Sequence, residues 1–153
     1  MSDFEKAFGK IKNGVFVVTT KHGNKANGMT AVWVARASFK PPMLSVAIGK
    51  TRYSHELIKE SGVFAVNILS EKQIAQGKLF GFRSGRITDK LKDIEYTTGK
   101  TGSPILKDIS GYLDCKVVKT CNAGDHTIFV GEVLDAGAYD NNHPLLYRHD
   151  DFF

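Results

Sequence analysis

The sequence predicts a mainly β fold, a closed or nearly closed barrel of six or seven strands with two or three helices on its periphery. Two observations carry this. Short runs of β-branched and aromatic residues recur along the chain between clusters of Gly, Asn, Asp and Pro. The helical segments among them do not alternate regularly with strands, as a parallel sheet would require. At 153 residues, 42% hydrophobic and 24% charged, the chain fits one domain over 1–153, with a core that removes roughly two-thirds of its surface from water.

Taken in order, Phe4, Phe8 and Ile11 recur at helical spacing, so a short amphipathic helix opens the chain, capped by Ser2 or Asp3. Val15 to Thr20 is a strand, and His22-Gly23-Asn24-Lys25 turns it into a second one running from Gly28 to Ala37. Pro41-Pro42 ends that strand, and Met43 to Ile48 makes a third. A helix over Ser54 to Glu60 stops at Gly62. Val63 to Leu69 suits a buried strand, and Ser70-x-x-Gln73 has capping-box spacing for a helix that ends near Gly81. Phe82 to Lys90 is polar, basic and Gly-containing, and reads as a functional loop. From Glu95 the chain is β-rich: Leu113, Cys115 and Val117 alternate with polar residues, Asn122 to Asp125 turns, and His126 to Leu134 returns. Leu145 to Tyr147 adds an edge strand.

The net charge of +5 comes from cations dispersed singly along the chain. That favours small anionic ligands over a nucleic-acid surface. The first residues carry charges of both signs, and no stretch approaches the ~20 apolar residues of a membrane helix, so a cytoplasmic protein without membrane or nucleic-acid partners is expected. Cys115 and Cys121 on one strand stand about 20 Å apart, too far for a disulfide. The histidines lack zinc-site spacing, and neither a Gly-x-Gly-x-x-Gly nor a Walker loop is present.

Four segments are candidates for chemistry. Gly49, Lys50, Thr51, Arg52 and Ser54 precede a helix N-terminus, where free N–H groups, cations and hydroxyls suit a phosphate, although an N-cap with solvated cations has the same sequence. Asn27 to Trp33 could wall a planar ring, or be core strand with Trp33 filling the barrel. Gly124-Asp125-His126-Thr127 delivers a histidine to the start of a strand, for proton donation or as structure. Arg83, Arg86 and Lys90 suit a second phosphate or a solvated face.

In their order and spacing these segments resemble the flavin reductase-like family of FMN-binding split-barrel proteins, from Phe8 to Tyr147. The carrying residues are Asn27-Gly28-Met29-Thr30-Ala31 with Ser38 and Pro41-Pro42, Lys50 with Ser54 through Gly62, Phe64 through Leu69, and Gly124-Asp125-His126-Thr127 through Val133. Gly81-Phe82-Arg83-Ser84 and Thr98 through Gly102 look like the ferric reductase and flavoredoxin branch. The resemblance implies an antiparallel, Greek-key-like split barrel that forms a homodimer. It also implies FMN in preference to FAD, and NADH or NADPH as co-substrate. The implied activity is NAD(P)H-dependent flavin reduction, with onward transfer to ferric iron or a protein acceptor; the alternative is a flavoredoxin-like electron carrier. The implied ring contacts are Met29, Thr30, Ala31, Val32 and Trp33, with Ala47, Ile48 and Gly49 beside them. The phosphate is expected near Lys50, Tyr53 and Ser54, a second phosphate at Arg83, Arg86 and Lys90 with a lean to NADPH, and His126 near flavin and nicotinamide.

Overall fold

The computed structural model describes residues 1–153. In chain order the elements are α1 (Asp3–Phe8), β1 (Phe16–His22), β2 (Lys25–Ala31), β3 (Val34–Ser38), β4 (Met43–Gly49), α2 (Tyr53–Ser61), β5 (Val63–Ile68), α3 (Ile74–Phe82), β6 (Tyr96–Thr98), β7 (Pro104–Leu106), β8 (Gly111–Ala123), β9 (His126–Ala138) and α4 (His149–Phe152). Seven of the strands form one antiparallel sheet in the order β2-β1-β5-β8-β9-β4-β3. Its two edges, β2 and β3, are consecutive in sequence and joined only by Val32 and Trp33. The chain itself therefore spans the gap, and the sheet curls into a split barrel. β4 and β5 are separated in the sheet by β9 and β8, so α2 crosses between them and packs on β1 and β2.

Strand periodicity divides the core in two. Val18, Met29, Val46, Phe64, Val66 and Phe129 fill the barrel, with Ile58 of α2 entering the same cluster. Val17 and Ala65, one residue out of phase, face the opposite way and are covered by Phe80 of α3, Ile105 and Leu106 of β7 and Phe152 of α4. β1 and β5 are thus buried on both faces, which explains why they read as unbroken apolar runs. Between the layers lies Asn67, fully buried. Its Nδ2 lies 3.2 Å from both Val17 O and Thr19 Oγ1 and 3.3 Å from Pro104 O, while its Oδ1 accepts from Leu106 N at 2.8 Å. That one amide fastens β7 to the outside of the barrel.

Both long hairpins turn on two residues, Gly23-Asn24 and Gly124-Asp125, with φ of 61° and 60° at the glycines. Glycine is needed there because the first central residue of such a turn lies in the left-handed region. Ser2 caps α1, accepting from Glu5 N at 3.2 Å, and Gly62 ends α2 at φ 71°.

Four expectations need correction. The strand expected over Gly28 to Ala37 is two strands, β2 and β3, because closing the barrel forces the chain to leave one sheet edge and join the other. The Ser70 box opens no helix: Gln73 Oε1 does accept from Ser70 N at 3.0 Å, but Ser70 bridges Pro144, and α3 starts at Ile74. Leu145 to Tyr147 makes single bridges and scattered hydrogen bonds, with no strand of its own. A fourth helix, α4, and the small β6–β7 sheet add to the expected elements. The Thr98 to Gly102 segment is a clamp between β6 and β7, its Thr101 donating N–H and Oγ1 to buried Asp114 at 3.0 and 2.6 Å.

Candidate functional site

The chain leaves β4 at Gly49 and turns at Arg52, which holds the N-cap of α2 in an extended conformation without any side-chain cap. The N–H groups of Tyr53 and Ser54 make no hydrogen bond within the chain. They point their partial positive charge outward, as does the helix dipole behind them. The segment following α3 folds over this end. Thr51, Arg52, Ser54, Arg83, Ser84 and Arg86 border a hollow of about 240 Å³, completed by Asn27 and Met29 of β2 and by Lys90. The residues expected from sequence at two anion sites, Ser54 and Arg83 to Lys90, therefore border one hollow.

The cations around it are differently committed. Arg86 donates Nη1 and Nη2 to Glu56 Oε2 and Oε1 at 3.0 and 2.8 Å, and its guanidinium lies 5.1 Å from the Tyr53 ring centre. The hydrogen bond to Arg86 holds the Glu56 carboxyl below its usual range. Arg86 is thus a latch tying the loop to α2. Lys90, 5% exposed, donates Nζ to Phe80 O at 3.2 Å and Arg83 O at 3.0 Å, closing the C-terminal end of α3. Burial, with a smaller contribution from Arg52, lowers its pKa to about 8. Neither Arg52 nor Arg83 has a side-chain hydrogen bond or carboxylate partner.

Lys50 is not part of the pocket. Its N–H donates to Asp125 O at 3.0 Å, fixing it to the β8–β9 turn, and its side chain lines a different hollow with His55 and Lys59. Asn27, in contrast, is a pocket residue absent from the expected contacts. It is buried, its Nδ2 lies 2.9 Å from Ser54 Oγ, and it touches Gly85 so closely that a Cβ there would overlap its amide. A polar amide inside a β-strand was the signal that could have marked it.

From the pocket a strip of surface, the groove, runs along Gly49 to His126 and Trp33, all at least partly exposed. A Cβ on Gly49 would stand 3.3 Å from Arg52 Cγ and 4.0 Å from His126 Nε2, so glycine keeps the passage between them open. His126 Nδ1 pairs with Asp125 Oδ1 at 2.6 Å, leaving Nε2 toward the groove, and its ring lies 4.8 Å from that of Trp33. The charge-assisted bond to His126 keeps the Asp125 carboxyl low. Trp33 is 55% exposed and fills no barrel. The N–H groups of Val32 and Trp33, in the gap between β2 and β3, donate to nothing in the chain, while Trp33 O accepts from Ala47 N at 3.1 Å. Ile48 is buried in the barrel and Ala31 nearly so, and Thr30 turns its hydroxyl to Gly77 O of α3 at 2.6 Å.

The flavin reductase like domain matches the chain over residues 8–153. The chain belongs to the flavin reductase-like family. It is 36% identical to a ferric-chelate reductase (NAD(P)H) of Archaeoglobus fulgidus over 144 residues, covering 93% of this chain and 85% of that protein. It is 34% identical to the high molecular weight rubredoxin of Moorella thermoacetica over 146 residues, 94% of this chain but 64% of that longer protein. The NADH:FAD oxidoreductase of Streptomyces globisporus C-1027 has the same fold, with a TM-score of 0.88 at 28% identity, covering 94% of this chain and 86% of that one. Flavin reduction, an oxidoreductase chemistry, is the activity of this family. The residues fit a flavin bearing a phosphate: unpaired helix N–H groups and two free guanidiniums face an anion, and unpaired N–H groups flank a groove beside a tryptophan and a histidine. No helix is long and apolar enough to cross a membrane.

Proposed function

We propose that the protein is an NAD(P)H-dependent flavin reductase that binds FMN, with the phosphate in the Arg52–Ser54–Arg83 pocket and the ring along Val32, Trp33 and His126. The observation that carries this reading is the hollow in which the uncapped start of α2 meets two unpaired guanidiniums. When bound, the flavin supplies the hydride-accepting chemistry. The chain's own part is positional. Tyr53 and Ser54 N–H, Arg52 and Arg83 hold the phosphate, with Asn27 orienting the Ser54 hydroxyl. Val32 and Trp33 N–H meet the polar edge of the ring. Asp125 fixes the imidazole of His126 so that Nε2 faces the groove, where it orients the nicotinamide or supplies a proton. Arg86 and Lys90 brace the loop that covers the phosphate. With Arg86 and Lys90 committed to protein groups and Arg83 turned to the FMN phosphate, no preference between NADH and NADPH follows.

The protein is proposed to act as a single domain and as a homodimer, supported by apolar groups left in the open, among them Trp33, Phe39, Val118 and Leu134. Its two unpaired cysteines suit the cytoplasm. The test is the absorbance spectrum of the purified protein with FMN, before and after anaerobic addition of NADH or NADPH. Bleaching of bound flavin by either nicotinamide is expected. A yellow, folded protein that neither nicotinamide reduces would instead be an electron carrier, and one that takes up no flavin would overturn both readings.

The Lys90 ammonium gives a pH dependence whose sign is fixed. Its folded pKa of about 8 lies below the ordinary lysine value, so it loses its charge as pH rises through about 8 while the unfolded chain keeps it. Stability should therefore rise from pH 8 toward 10.5, and affinity for the phosphate of FMN should fall over the same range, since the anion favours the charged amine. Urea midpoints and FMN titrations at pH 7 and 9.5 measure both. Lys90→Met should flatten both slopes.

A further inference from the structure

A second hollow, of about 400 Å³, lies beside the β8–β9 turn and is lined by Lys50, His55, Lys59, Thr120, Asn122 and Thr127 over the ring of Phe129. Its polar lining contains no carboxylate. The three acids nearest in sequence are engaged elsewhere, Glu56 by Arg86, Glu60 by His22 and Asp125 by His126. His55 is held edge-on against Phe129, ring centres 5.3 Å apart, with Nε2 2.7 Å from the hydroxyl of Thr127, itself only 7% exposed. The other ring nitrogen, Nδ1, has no partner in the chain. Two ammonium groups and an imidazole thus surround one space with nothing of opposite sign between them.

We propose that this hollow is a second anion site, for a compact anion bearing several carboxylate or phosphate oxygens, separate from the pocket at the start of α2. Three features argue for it. The arrangement is self-repelling as it stands: burial first, then Lys59 and Lys50, push the His55 pKa down, and Glu56 offsets this only in part. An anion would relieve that repulsion and accept from Nδ1–H once the ring is protonated. Thr120 and Asn122 add neutral donors on the far wall. Finally, Lys50 is the next residue after Gly49 and is bonded to Asp125, so the site stands back to back with the Gly49–His126 groove. An anion held there lies beside the place where the reaction is read, as a polycarboxylate chelate of an acceptor metal or the pyrophosphate of a dinucleotide would.

The experiment follows the ring protons of His55 by NMR against pH, assigned by their loss in His55→Gln, with saturating FMN present throughout. Citrate and inorganic pyrophosphate are added separately. The expected result is an upward move of the His55 pKa with at least one of them, citrate alone assigning a polycarboxylate and pyrophosphate alone a phosphate ligand. In Lys50→Gln/Lys59→Gln the His55 pKa should rise without any anion, the further rise should vanish, and anion affinity should fall at least tenfold while FMN affinity stays within twofold. A His55 pKa that neither anion moves overturns the proposal. So does anion binding that survives in the double-lysine variant but is lost in Arg83→Gln.

Discussion

Arg52→Gln/Arg83→Gln should bind FMN about a hundredfold or more weaker than the parent and bind riboflavin equally well. Both guanidiniums line the pocket without a partner in the chain, so their donors are available to a phosphate. A charge-assisted hydrogen bond contributes roughly 1.5–3 kcal/mol, and losing two costs about 3 kcal/mol at the lower end, a factor of about a hundred. Riboflavin has no phosphate and serves as the control. Fluorescence titrations of the two flavins measure the ratio, and an equal loss for both would remove the phosphate from this pocket. Stability should hardly change, because both side chains are at least partly exposed and make no hydrogen bonds within the chain.

Asn67→Ala should be the most destabilising single change among the polar residues, by about 3 kcal/mol. The variant leaves Leu106 N–H without an acceptor and takes from Pro104 O one of its two donors, in a region closed to water. An unsatisfied buried group costs roughly 1–3 kcal/mol, and the space left by the amide adds to it. A lower urea midpoint with an unchanged slope would express this as a loss of native stability. The barrel itself should persist, since Phe64, Val66 and Phe129 are untouched, and loosening should concentrate in β6 and β7.

Much of this fold was legible because local chemistry and tertiary structure agree. Gly23, Gly62 and Gly124 stand where a positive φ is required, and each marked a turn or helix end. Hydrophobic runs marked β1 and β5 because both their faces are buried. The break at Val32–Trp33 was not legible, since β-branched and aromatic residues favour extended backbone and only barrel closure interrupts the strand. In the candidate site, the start of α2, the groove strand and His126 stand out in the sequence because each is a local device. For Lys90 and Arg86 the sequence leaves a phosphate contact and a solvated face equally open, because nothing nearby in it announces the carbonyls of Phe80 and Arg83 or the carboxylate of Glu56. Lys50 is the opposite case. Adjacent to the pocket residues in sequence, it is turned to the other side by its hydrogen bond to Asp125.

The two residues between β2 and β3 carry a mechanical consequence. Within the sheet β2 pairs only with β1 and β3 only with β4, so each side of Val32–Trp33 moves with a different half of the sheet. Any widening or tightening of the barrel must therefore be taken up by this dipeptide, whose amides are tethered only at Trp33 O. A flat ligand lying across it would act as a splint, setting the distance between the two halves. Occupancy of the groove and rigidity of the barrel are then one variable, and slower amide exchange in β2 and β3 would report ligand binding from the edges of the sheet.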